Sequence, residues 1–313
     1  MNHFCDIDDI DDLSGWLARG KALALDQGAL GTPGKGKTLC LLFFNNSLRT
    51  RLSTQMAARR LGLEVIVMNF GAEGWQLEYE DGTVMDGGKA EHIREAARVV
   101  GTYADLIGVR AFAGLQDREA DYAEQVLKGF ARHSGVPVLN MESATAHPLQ
   151  ALADALTVEA YRKTDRPKVV LSWAPHPRAL PQAVPNSFVR MMRRMPVDLV
   201  VTHPEGYELA PEITGGAPVV YNQEEALKNA DFVYVKNWSS YTRYGQILTQ
   251  DPGWMMTRNK LGTAQFMHCL PVRRNVVVED AVLDSAQSLV IHQAANRTRS
   301  AQLALAHLLE SNA

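Results

Sequence analysis

The segment from Ser47 to Arg51, which reads Ser-Leu-Arg-Thr-Arg, combines two hydroxyl groups with two guanidinium groups. It lies between an apolar run at residues 38–44, typical of a buried strand, and an amphipathic pattern at residues 51–61, typical of a helix. Backbone N–H groups at the start of a helix bind anions, and hydroxyl and guanidinium groups add donors for phosphate. The segment therefore predicts a site for a phosphorylated small molecule. Taken alone, it fits a capped helix with two solvated arginines equally well, and Arg49 and Arg51 cannot both face the core.

Further polar groups follow other predicted strands along the chain. They stand at Arg110, residues 142–150, residues 176–178, Lys236 and residues 268–274. The carboxyl ends of parallel strands meet at one edge of an open sheet, where such sheets bind their ligands. Polar groups after six strands therefore predict an active site in a cleft at these strand ends.

The elements that must position these groups alternate between apolar runs of strand length and longer amphipathic stretches. This alternation predicts an α/β fold with two open parallel-sheet α/β domains and a cleft between them. The domains are expected at residues 1–147 and 148–295, with a C-terminal helix in residues 296–313 that packs back on the first domain. The predicted strands are residues 38–44, 63–68, 105–109, 137–139, 168–173, 197–202, 231–235 and 288–291. The predicted helices are residues 51–61, 91–103, 118–133, 149–161, 186–194, 224–228 and 298–309.

The composition limits the classes of protein that fit the chain. Its 313 residues suit two domains, and 46% hydrophobic with 21% charged residues is typical of a globular protein. The 32 basic and 35 acidic residues give a net charge of −3, which argues against a nucleic-acid partner and a polybasic membrane surface. No apolar run is long enough for a membrane span, no signal peptide is visible, and the three cysteines form no CxxC pair, so we expect a cytoplasmic enzyme. The nine histidines show no metal-ligand spacing, and neither a metal nor another cofactor is expected.

A literal match to the P-loop pattern Gly-x4-Gly-Lys-Ser/Thr occurs at residues 31–38. A P-loop needs a strand before it and a helix after it, so that helix N–H groups face the phosphates. Here a predicted helix at residues 9–25 precedes the match, and the predicted strand at residues 38–44 follows it. A nucleotide-binding protein is therefore the disfavoured alternative.

Four short motifs occur in order along the chain. They are Ser-x-Arg-Thr-Arg at residues 47–51, His-Pro-x-Gln at 147–150, His-Cys-Leu-Pro at 268–271, and Asn-Arg at 296–297, at the expected start of the last helix. In this combination the chain resembles the aspartate and ornithine carbamoyltransferase family over nearly its whole length. The resemblance implies the transcarbamylase fold and transfer of a carbamoyl group from carbamoyl phosphate to an amine. It also implies a homotrimer in which a loop of one subunit enters its neighbour's active site.

The resemblance implies roles for individual residues as well. Carbamoyl phosphate is expected to contact Ser47, Leu48, Arg49, Thr50, Arg110, His147, Gln150, Cys269, Leu270 and Arg297, together with Trp75 on the loop from the neighbouring subunit. The expected catalytic residues are Arg110, His147, Thr50 and Cys269, the first three as donors to an oxyanion. The amino-acid substrate is expected at Glu142, His176, Arg178, Lys236 and Arg273. A non-catalytic relative that binds or senses amino acids would be expected to lack some of Arg110, His147 and Cys269, and all three are present.

Two segments indicate which amine accepts the carbamoyl group. The Asp-x-x-Ser-Met-Gly loop of ordinary ornithine enzymes and the lysine-containing loop of aspartate enzymes are absent, and the Pro-rich residues 172–187 resemble the branch that acts on Nα-acylated ornithine. In that branch, N-acetylornithine enzymes carry Glu at the position of Ala90 and N-succinylornithine enzymes carry Pro. Ala90 removes the repulsion between a Glu and a succinyl carboxylate, to which His176 and Arg178 would donate. N-succinyl-L-ornithine is therefore the predicted substrate and N-acetyl-L-ornithine the alternative, unless Ala90 is a surface residue without a role.

Overall fold

The structure, a computed structural model, describes residues 2–312 as alternating strands and helices. The strands are β1 (Thr38–Phe43), β2 (Glu64–Asn69), β3 (Leu77–Glu78), β4 (Glu91–His92), β5 (Leu106–Arg110), β6 (Val138–Glu142), β7 (Lys168–Trp173), β8 (Asp198–Thr202), β9 (Val219–Val220), β10 (Phe232–Lys236) and β11 (Gln265–Met267). The helices are α1 (Leu13–Leu25), α2 (Arg49–Arg60), α3 (Phe70–Glu73), α4 (Ile93–Tyr103), α5 (Arg118–Ala123), α6 (Gln125–His133), α7 (Pro148–Tyr161), α8 (Ala183–Met192), α9 (Pro211–Thr214), α10 (Gln223–Leu227), α11 (Arg258–Leu261), α12 (Asp280–Leu283) and α13 (Val290–Ser311). Short 3-10 helices lie at Ile7–Asp9 and Pro252–Trp254.

The chain folds into two compact units. The first comprises the chain up to Gly114, Glu119–Leu149 and the chain from Arg297 onward, and the second comprises Leu115–Arg118 and Gln150–Asn296. Helices α7 and α13 each begin in one unit and end in the other, so these changes of unit fall inside helices rather than in a Pro/Gly-rich linker. The limits of the two substrate-binding domains, at residues 147 and 295, stay predictions.

The sheet of the first unit has the strand order β2-β1-β5-β6, and its pairs are parallel. Strand β1 reads Thr-Leu-Cys-Leu-Leu-Phe, and its continuous apolar run suits a central strand that is covered on both faces. At the carboxyl ends, Phe43 lies opposite Arg110, and Arg110 lies opposite Glu142 after a register shift in β5. The register therefore brings the last residues of three strands into one row.

The sheet of the second unit has the strand order β11-β10-β7-β8-β9, also with parallel pairs. Its core includes Val170, Val233 and Phe266, which are fully buried. Lys236, the last residue of β10, lies opposite Trp173, the last residue of β7. The predicted α/β class with parallel sheets is confirmed in both units. Within residues 2–312, no helix is long and apolar enough to cross a membrane.

The prediction of a last strand at residues 288–291 is wrong. Ser288 forms only an isolated bridge to Phe266, and helix α13 begins at Val290. The run Ser-Leu-Val-Ile is short and apolar, and such a run cannot be assigned to a strand or a helix by periodicity. Because α13 starts earlier than expected, Asn296 and Arg297 lie inside this helix, and the prediction that Arg297 stands at a helix N-terminus is also wrong.

The helix predicted at residues 118–133 is divided into α5 and α6. Glu124 separates them in a left-handed conformation, with φ 50° and ψ 42°. Its carboxylate accepts hydrogen bonds from the backbone N and the hydroxyl of Thr145, at 3.0 and 2.7 Å. This tertiary contact offsets a backbone conformation that is unfavourable for a residue with a side chain, and the sequence gives no sign of it.

Candidate active site

The predicted phosphate cradle lies at the start of helix α2. The helix begins at Arg49, and Ser47 and Leu48 immediately precede it. A leucine side chain cannot accept hydrogen bonds from the first N–H groups of a helix, so these groups are left for an anion. Thr50 is buried, whereas Leu48 is exposed. The local structure has the polarity that the P-loop match at residues 31–38 lacks, because that segment lies between α1 and β1.

The two arginines of the cradle have different surroundings. The Arg51 guanidinium lies 4.9 Å from the centre of the Phe43 ring and donates to Asn69 Oδ1. Arg49 instead lies close enough to Arg110 to help lower the pKa of the Arg110 guanidinium, after burial as the main cause. Arg51 therefore has a structural role through its own protein partners, and Arg49, which lies near Arg110, stays the arginine that is expected at the anion site.

Arg110 organises the loop that leads into the cradle. Its NH1 group donates to the backbone oxygens of Asn45 and Asn46, at 3.1 and 2.7 Å, and its NH2 group donates to Glu142 at 3.2 Å. Its guanidinium lies 4.0 Å from the centre of the Phe112 ring. A guanidinium carries five N–H donors, and the Arg110 Nε–H has no partner within residues 2–312. Arg110 can thus hold the loop and still donate to a ligand.

His147 is a buried, neutral imidazole. Burial lowers the pKa of His147 well below its ordinary value of 6.5, and the charges of Arg297 and Arg110 lower it further. Its Nε2 lies 3.4 Å from the Glu142 carboxylate, which also receives Arg110. A neutral imidazole has one N–H donor, and the carboxylate favours the proton on Nε2. Glu142, expected among the residues that bind the amino acid, thus lies with Arg110 and His147 in the first unit.

Arg297 reaches the same region from the interior of α13. Its guanidinium is buried, and NH2 donates to the Thr50 hydroxyl at 2.7 Å. A hydroxyl that accepts one hydrogen bond keeps its own proton for another acceptor. We call Arg49, Thr50, Arg110, His147 and Arg297 the anion cluster. All five belong to the first unit.

Gln150, Cys269 and Leu270 belong to the second unit. Gln150 is buried and donates from Nε2 to Asp154 Oδ1 at 2.7 Å. His268 accepts a hydrogen bond at Nδ1 from the backbone N of Leu270, at 2.8 Å, and the Cys269 thiol between them is half-buried. The loop after β11 is therefore held by its own histidine.

The second unit also contains a cationic cluster, which we define as His176, Arg178, Lys236 and Arg273. Arg273 Nε donates to His176 Nε2 at 3.2 Å, and His176 Nδ1 lies 2.8 Å from the backbone oxygen of Arg178. Burial, followed by the charges of Lys236, Arg273 and Arg178, lowers the pKa of His176. Neutral His176 can thus accept from Arg273 and donate to Arg178, and the cluster carries three cations.

Trp75 and Ala90 lie on one exposed loop of the first unit. Strands β3 and β4 pair in parallel, and the backbone N of Ala90 donates to Gln76 O at 3.1 Å. Trp75 Nε1 donates to Glu91 Oε2 at 2.9 Å. Hydrogen bonds from the backbone N of Glu80, from Lys89 and from the backbone N of Tyr79 lower the pKa of Glu78 to about 2, which fixes an ionised carboxylate inside the loop.

Asp154 and Tyr234 are buried residues that were not predicted from the sequence. Asp154 is fully buried on α7, where it binds Gln150, and Tyr234 is fully buried on β10. A signal for Asp154 was present, because Gln150, Asp154 and Thr157 recur at helical spacing within an otherwise apolar run. Tyr234 lies inside an apolar strand and had no such signal.

The motifs and their geometry agree with known protein families. Residues 2–160 match the family model described as "Aspartate/ornithine carbamoyltransferase, carbamoyl-P binding domain". Residues 181–308 match the family model described as "Aspartate/ornithine carbamoyltransferase, Asp/Orn binding domain". The chain belongs to the aspartate/ornithine carbamoyltransferase family. The N-succinylornithine carbamoyltransferase of Bacteroides thetaiotaomicron is 52% identical to this carbamoyltransferase over 315 residues, which is 99% of each chain.

More distant members belong to the same branch. The N-acetylornithine carbamoyltransferase of Xanthomonas campestris pv. campestris is 38% identical over 313 residues, 92% of each chain. A crystal structure of an N-acetyl-L-ornithine transcarbamylase with one Glu replaced by Ala, in complex with carbamyl phosphate and N-succinyl-L-norvaline, has a TM-score of 0.91 and 38% identity, and covers 98% of this chain and 100% of its own. The predicted family and transcarbamylase fold are confirmed.

Proposed function

We propose that this carbamoyltransferase transfers the carbamoyl group of carbamoyl phosphate to the δ-amine of N-succinyl-L-ornithine, as a step of arginine biosynthesis. The products are N-succinyl-L-citrulline and phosphate. The observation that carries the proposal is the 52% identity to an N-succinylornithine carbamoyltransferase over 99% of both chains. The anion cluster supplies the chemistry that such a reaction needs.

The anion cluster binds both ends of carbamoyl phosphate, the phosphate group and the carbamoyl carbonyl. The first N–H groups of α2, together with Ser47, Arg49 and Arg297, bind the phosphate. Arg110, His147 and Thr50 donate to the carbonyl oxygen. The His147 imidazole does so as a neutral donor, since its lowered pKa keeps it unprotonated near neutral pH, and the ligand carbonyl competes with Glu142 for the Nε2 proton.

The reaction is an acyl transfer. The neutral δ-amine attacks the carbamoyl carbon, a C–N bond forms, and the carbonyl oxygen becomes an oxyanion. The C–O bond to phosphate then breaks, the electron pair leaves with phosphate, and the amine loses a proton to the departing phosphate. A preorganised donor to such an oxyanion contributes roughly 10²–10³ in rate, and the arginines stabilise the charge that collects on phosphate.

The cationic cluster and Ala90 select the amine substrate. N-succinyl-L-ornithine carries two carboxylates, and Arg178, Lys236 and Arg273 supply three cations, with His176 holding Arg273 in place. Ala90 adds no negative charge to the loop that carries it, whereas a Glu there would repel the succinyl carboxylate. The transcarbamylase variant with one Glu replaced by Ala, in complex with an N-succinyl ligand, would support this reasoning where that Glu stands at the position of Ala90. N-acetyl-L-ornithine is the alternative substrate.

An assay with each amine separately tests the proposed function. Purified enzyme with carbamoyl phosphate and either ornithine, N-acetyl-L-ornithine or N-succinyl-L-ornithine is followed by mass spectrometry and by phosphate release. The expected result is one phosphate per N-succinyl-L-citrulline, and slower turnover of the other two amines. Faster turnover of N-acetyl-L-ornithine would select the alternative.

The proposal includes a cytoplasmic homotrimer with shared active sites. Exposed large apolar side chains of the first unit would suit a subunit interface, and they include Leu48, Leu52, Met56, Ile66, Trp75, Val84, Met85, Val99 and Tyr103. Trp75, on its exposed loop, would complete the site of a neighbouring subunit. Cell fractionation tests the location, and light scattering tests the trimer.

Mixed trimers test the shared site. Trp75→Ala and Arg110→Leu should each be nearly inactive alone. After mixing, denaturation and refolding at equal amounts, a site is intact when its Arg110 and its neighbour's Trp75 are both present, which random assembly gives in roughly one quarter of sites. Recovery to about that level is expected. Mixed trimers as inactive as the parents would contradict a site shared between subunits.

A further inference from the structure

Helix α7 carries a line of polar side chains inside the protein. Residues 148–158 of the helix are buried, and among them Gln150, Asp154 and Thr157 lie on one face, because they are spaced by four and three positions. Asp154 has 0% exposure. An ionised carboxylate at such a depth is costly unless hydrogen-bond donors surround it. The donors around Asp154 therefore indicate what this buried carboxylate does.

The Asp154 carboxylate holds two glutamine side chains. Its Oδ1 accepts from Gln150 Nε2 at 2.7 Å and from Gln293 Nε2 at 2.6 Å, and both glutamines are fully buried. Because Asp154 Oδ1 is the acceptor in both hydrogen bonds, each amide turns its NH2 group toward Asp154 and its oxygen away. Asp154 thereby chooses one of the two possible amide orientations for Gln150 and for Gln293.

The orientation of Gln293 is transmitted to the loop after β11. Gln293 Oε1 accepts the backbone N–H of His268 at 3.0 Å, and His268 Nδ1 accepts the backbone N–H of Leu270 at 2.8 Å. Leu270 has φ 57°, a left-handed conformation that costs on the order of 1–3 kcal/mol for a residue other than glycine and persists only where its surroundings hold it. Gln293 is part of those surroundings.

Tyr234 is a neighbour of both the Asp154 carboxylate and the Cys269 thiol of the same loop. Burial raises the pKa of Tyr234 well above its ordinary value, and the neighbouring Asp154 carboxylate and Cys269 thiol raise it further. Asp154 thus contacts Gln150 directly, and Gln293 and Tyr234 link it to the loop with Cys269 and Leu270.

We propose that Asp154 is a positioning residue for recognition of the carbamoyl NH2 group. It turns the oxygen of Gln150 away from Asp154, so that this oxygen can serve as an acceptor, and through Gln293 it holds the loop with Cys269 and Leu270. Acceptor oxygens bind an NH2 group and are left unpaired by a methyl group, so this arrangement selects carbamoyl phosphate over acetyl phosphate. The inference rests on the proposed function and adds a residue that sets which acyl phosphate is accepted.

Binding measurements separate the carbamoyl end of the ligand from its phosphate end. Phosphonoacetamide carries both a phosphonate and the CO–NH2 group, whereas inorganic phosphate carries only the anion, and calorimetry measures each with the full-length enzyme. Asp154→Leu removes the acceptor at similar size, so both amides can turn. We expect its affinity for phosphonoacetamide to fall about tenfold or more, and its affinity for phosphate to stay within about twofold.

Three further variants sharpen this result. Asp154→Asn keeps an oxygen at the Oδ1 position and should bind phosphonoacetamide within about threefold of the wild type. Gln293→Met breaks the link to His268 with little change in volume and should weaken phosphonoacetamide alone, which provides a second test if Asp154→Leu does not fold. Thr157→Val is the matched control, because Thr157 accepts from Asn296 Nδ2 at 2.9 Å and likewise joins α7 to α13. It should bind both ligands as the wild type does.

The possible outcomes are distinct. Wild-type binding of phosphonoacetamide by a folded Asp154→Leu, or by Gln293→Met, would overturn the inference. Equal loss of phosphonoacetamide and phosphate in these variants would also overturn it, as would an Asp154→Asn variant as weak as Asp154→Leu. If the wild-type enzyme binds phosphonoacetamide no more tightly than inorganic phosphate, this result would instead contradict the proposed function.

Discussion

The anion cluster of the first unit and the cationic cluster of the second unit both consist mainly of basic residues, but most of these residues differ in burial. Arg110, His147 and Arg297 are 6%, 2% and 4% exposed, and each has protein contacts that fix its side chain. In the cationic cluster Lys236 is also buried, at 8% exposure, but Arg178 and Arg273 are exposed and the neutral His176 is only half-buried. A site that is already assembled loses little conformational entropy on binding, whereas exposed side chains must be ordered by the ligand. The anion cluster is therefore the preorganised site, whereas the exposed arginines of the cationic cluster and the exposed Ala90 of the first unit are positions at which specificity can change by small steps.

The largest effect is expected at Arg110. Arg110→Leu removes a ligand donor and the support for Asn45 and Asn46, and should lower kcat by about 10³ or more. Arg51→Leu is the matched control, since it removes a neighbouring guanidinium that packs on Phe43 and binds Asn69. We expect it to lower the free energy of unfolding by about 1–2 kcal/mol and to change kcat only a few-fold. Steady-state kinetics and thermal unfolding measure both, and similar kcat values for the two variants would erase the distinction between the two arginines.

A smaller effect is expected in the cationic cluster. Arg273→Ala should raise the KM for N-succinyl-L-ornithine about tenfold and leave the affinity for carbamoyl phosphate unchanged, because it removes one partly solvated contact to a carboxylate. Arg274 is the matched control on the same loop, since its guanidinium is already bound to Asp280 and Asp284 at 2.7–2.8 Å. Kinetics of Arg274→Ala should match the wild type. If the two variants change KM equally, the loop acts as a whole and Arg273 has no specific contact.

The smallest effect concerns the pH dependence of stability. The pKa of His147 in the folded protein is lowered below 6.5. As the pH falls below that value, His147 therefore becomes protonated in the unfolded chain but stays neutral in the folded protein. Stability from this group is therefore present above pH 6.5 and is lost as the pH falls toward the folded pKa. In His147→Gln, denaturant unfolding between pH 6.5 and 5 should be less steep with pH by up to about 1.4 kcal/mol per pH unit. The same slope in both proteins would mean that His147 is not a buried neutral group.

The same contrast decides how much could be predicted from the sequence. The cradle at residues 47–51 was predictable because a buried strand, a basic polar turn and a helix follow one another without a gap. All the elements of the anion-binding segment are therefore present in one short stretch of sequence. The distinction between Arg49 and Arg51 was not, because it depends on Asn69, which belongs to the next strand. A local sequence pattern therefore predicts that a segment can bind an anion, whereas tertiary contacts determine which of its arginines is available to do so.

Longer-range arrangements were harder to predict. Arg297 was identified by resemblance but placed at a helix start, because the apolar residues 288–291 were assigned to a strand although α13 already begins at Val290. Asp154 was overlooked because a single carboxylate in an apolar helix gains its meaning only from Gln293, 139 positions away. Polar residues at helical spacing inside a buried helix are the signal that could have identified it.

A competition assay tests the proposed function most directly. Equal concentrations of N-acetyl-L-ornithine and N-succinyl-L-ornithine are mixed with carbamoyl phosphate and enzyme, and the ratio of the two citrulline products is measured by mass spectrometry at low conversion. This ratio equals the ratio of kcat/KM values. We predict an excess of N-succinyl-L-citrulline for the wild type and a shift toward N-acetyl-L-citrulline in Ala90→Glu, since the added carboxylate repels the succinyl group. An excess of N-acetyl-L-citrulline from the wild-type enzyme would contradict the proposed function.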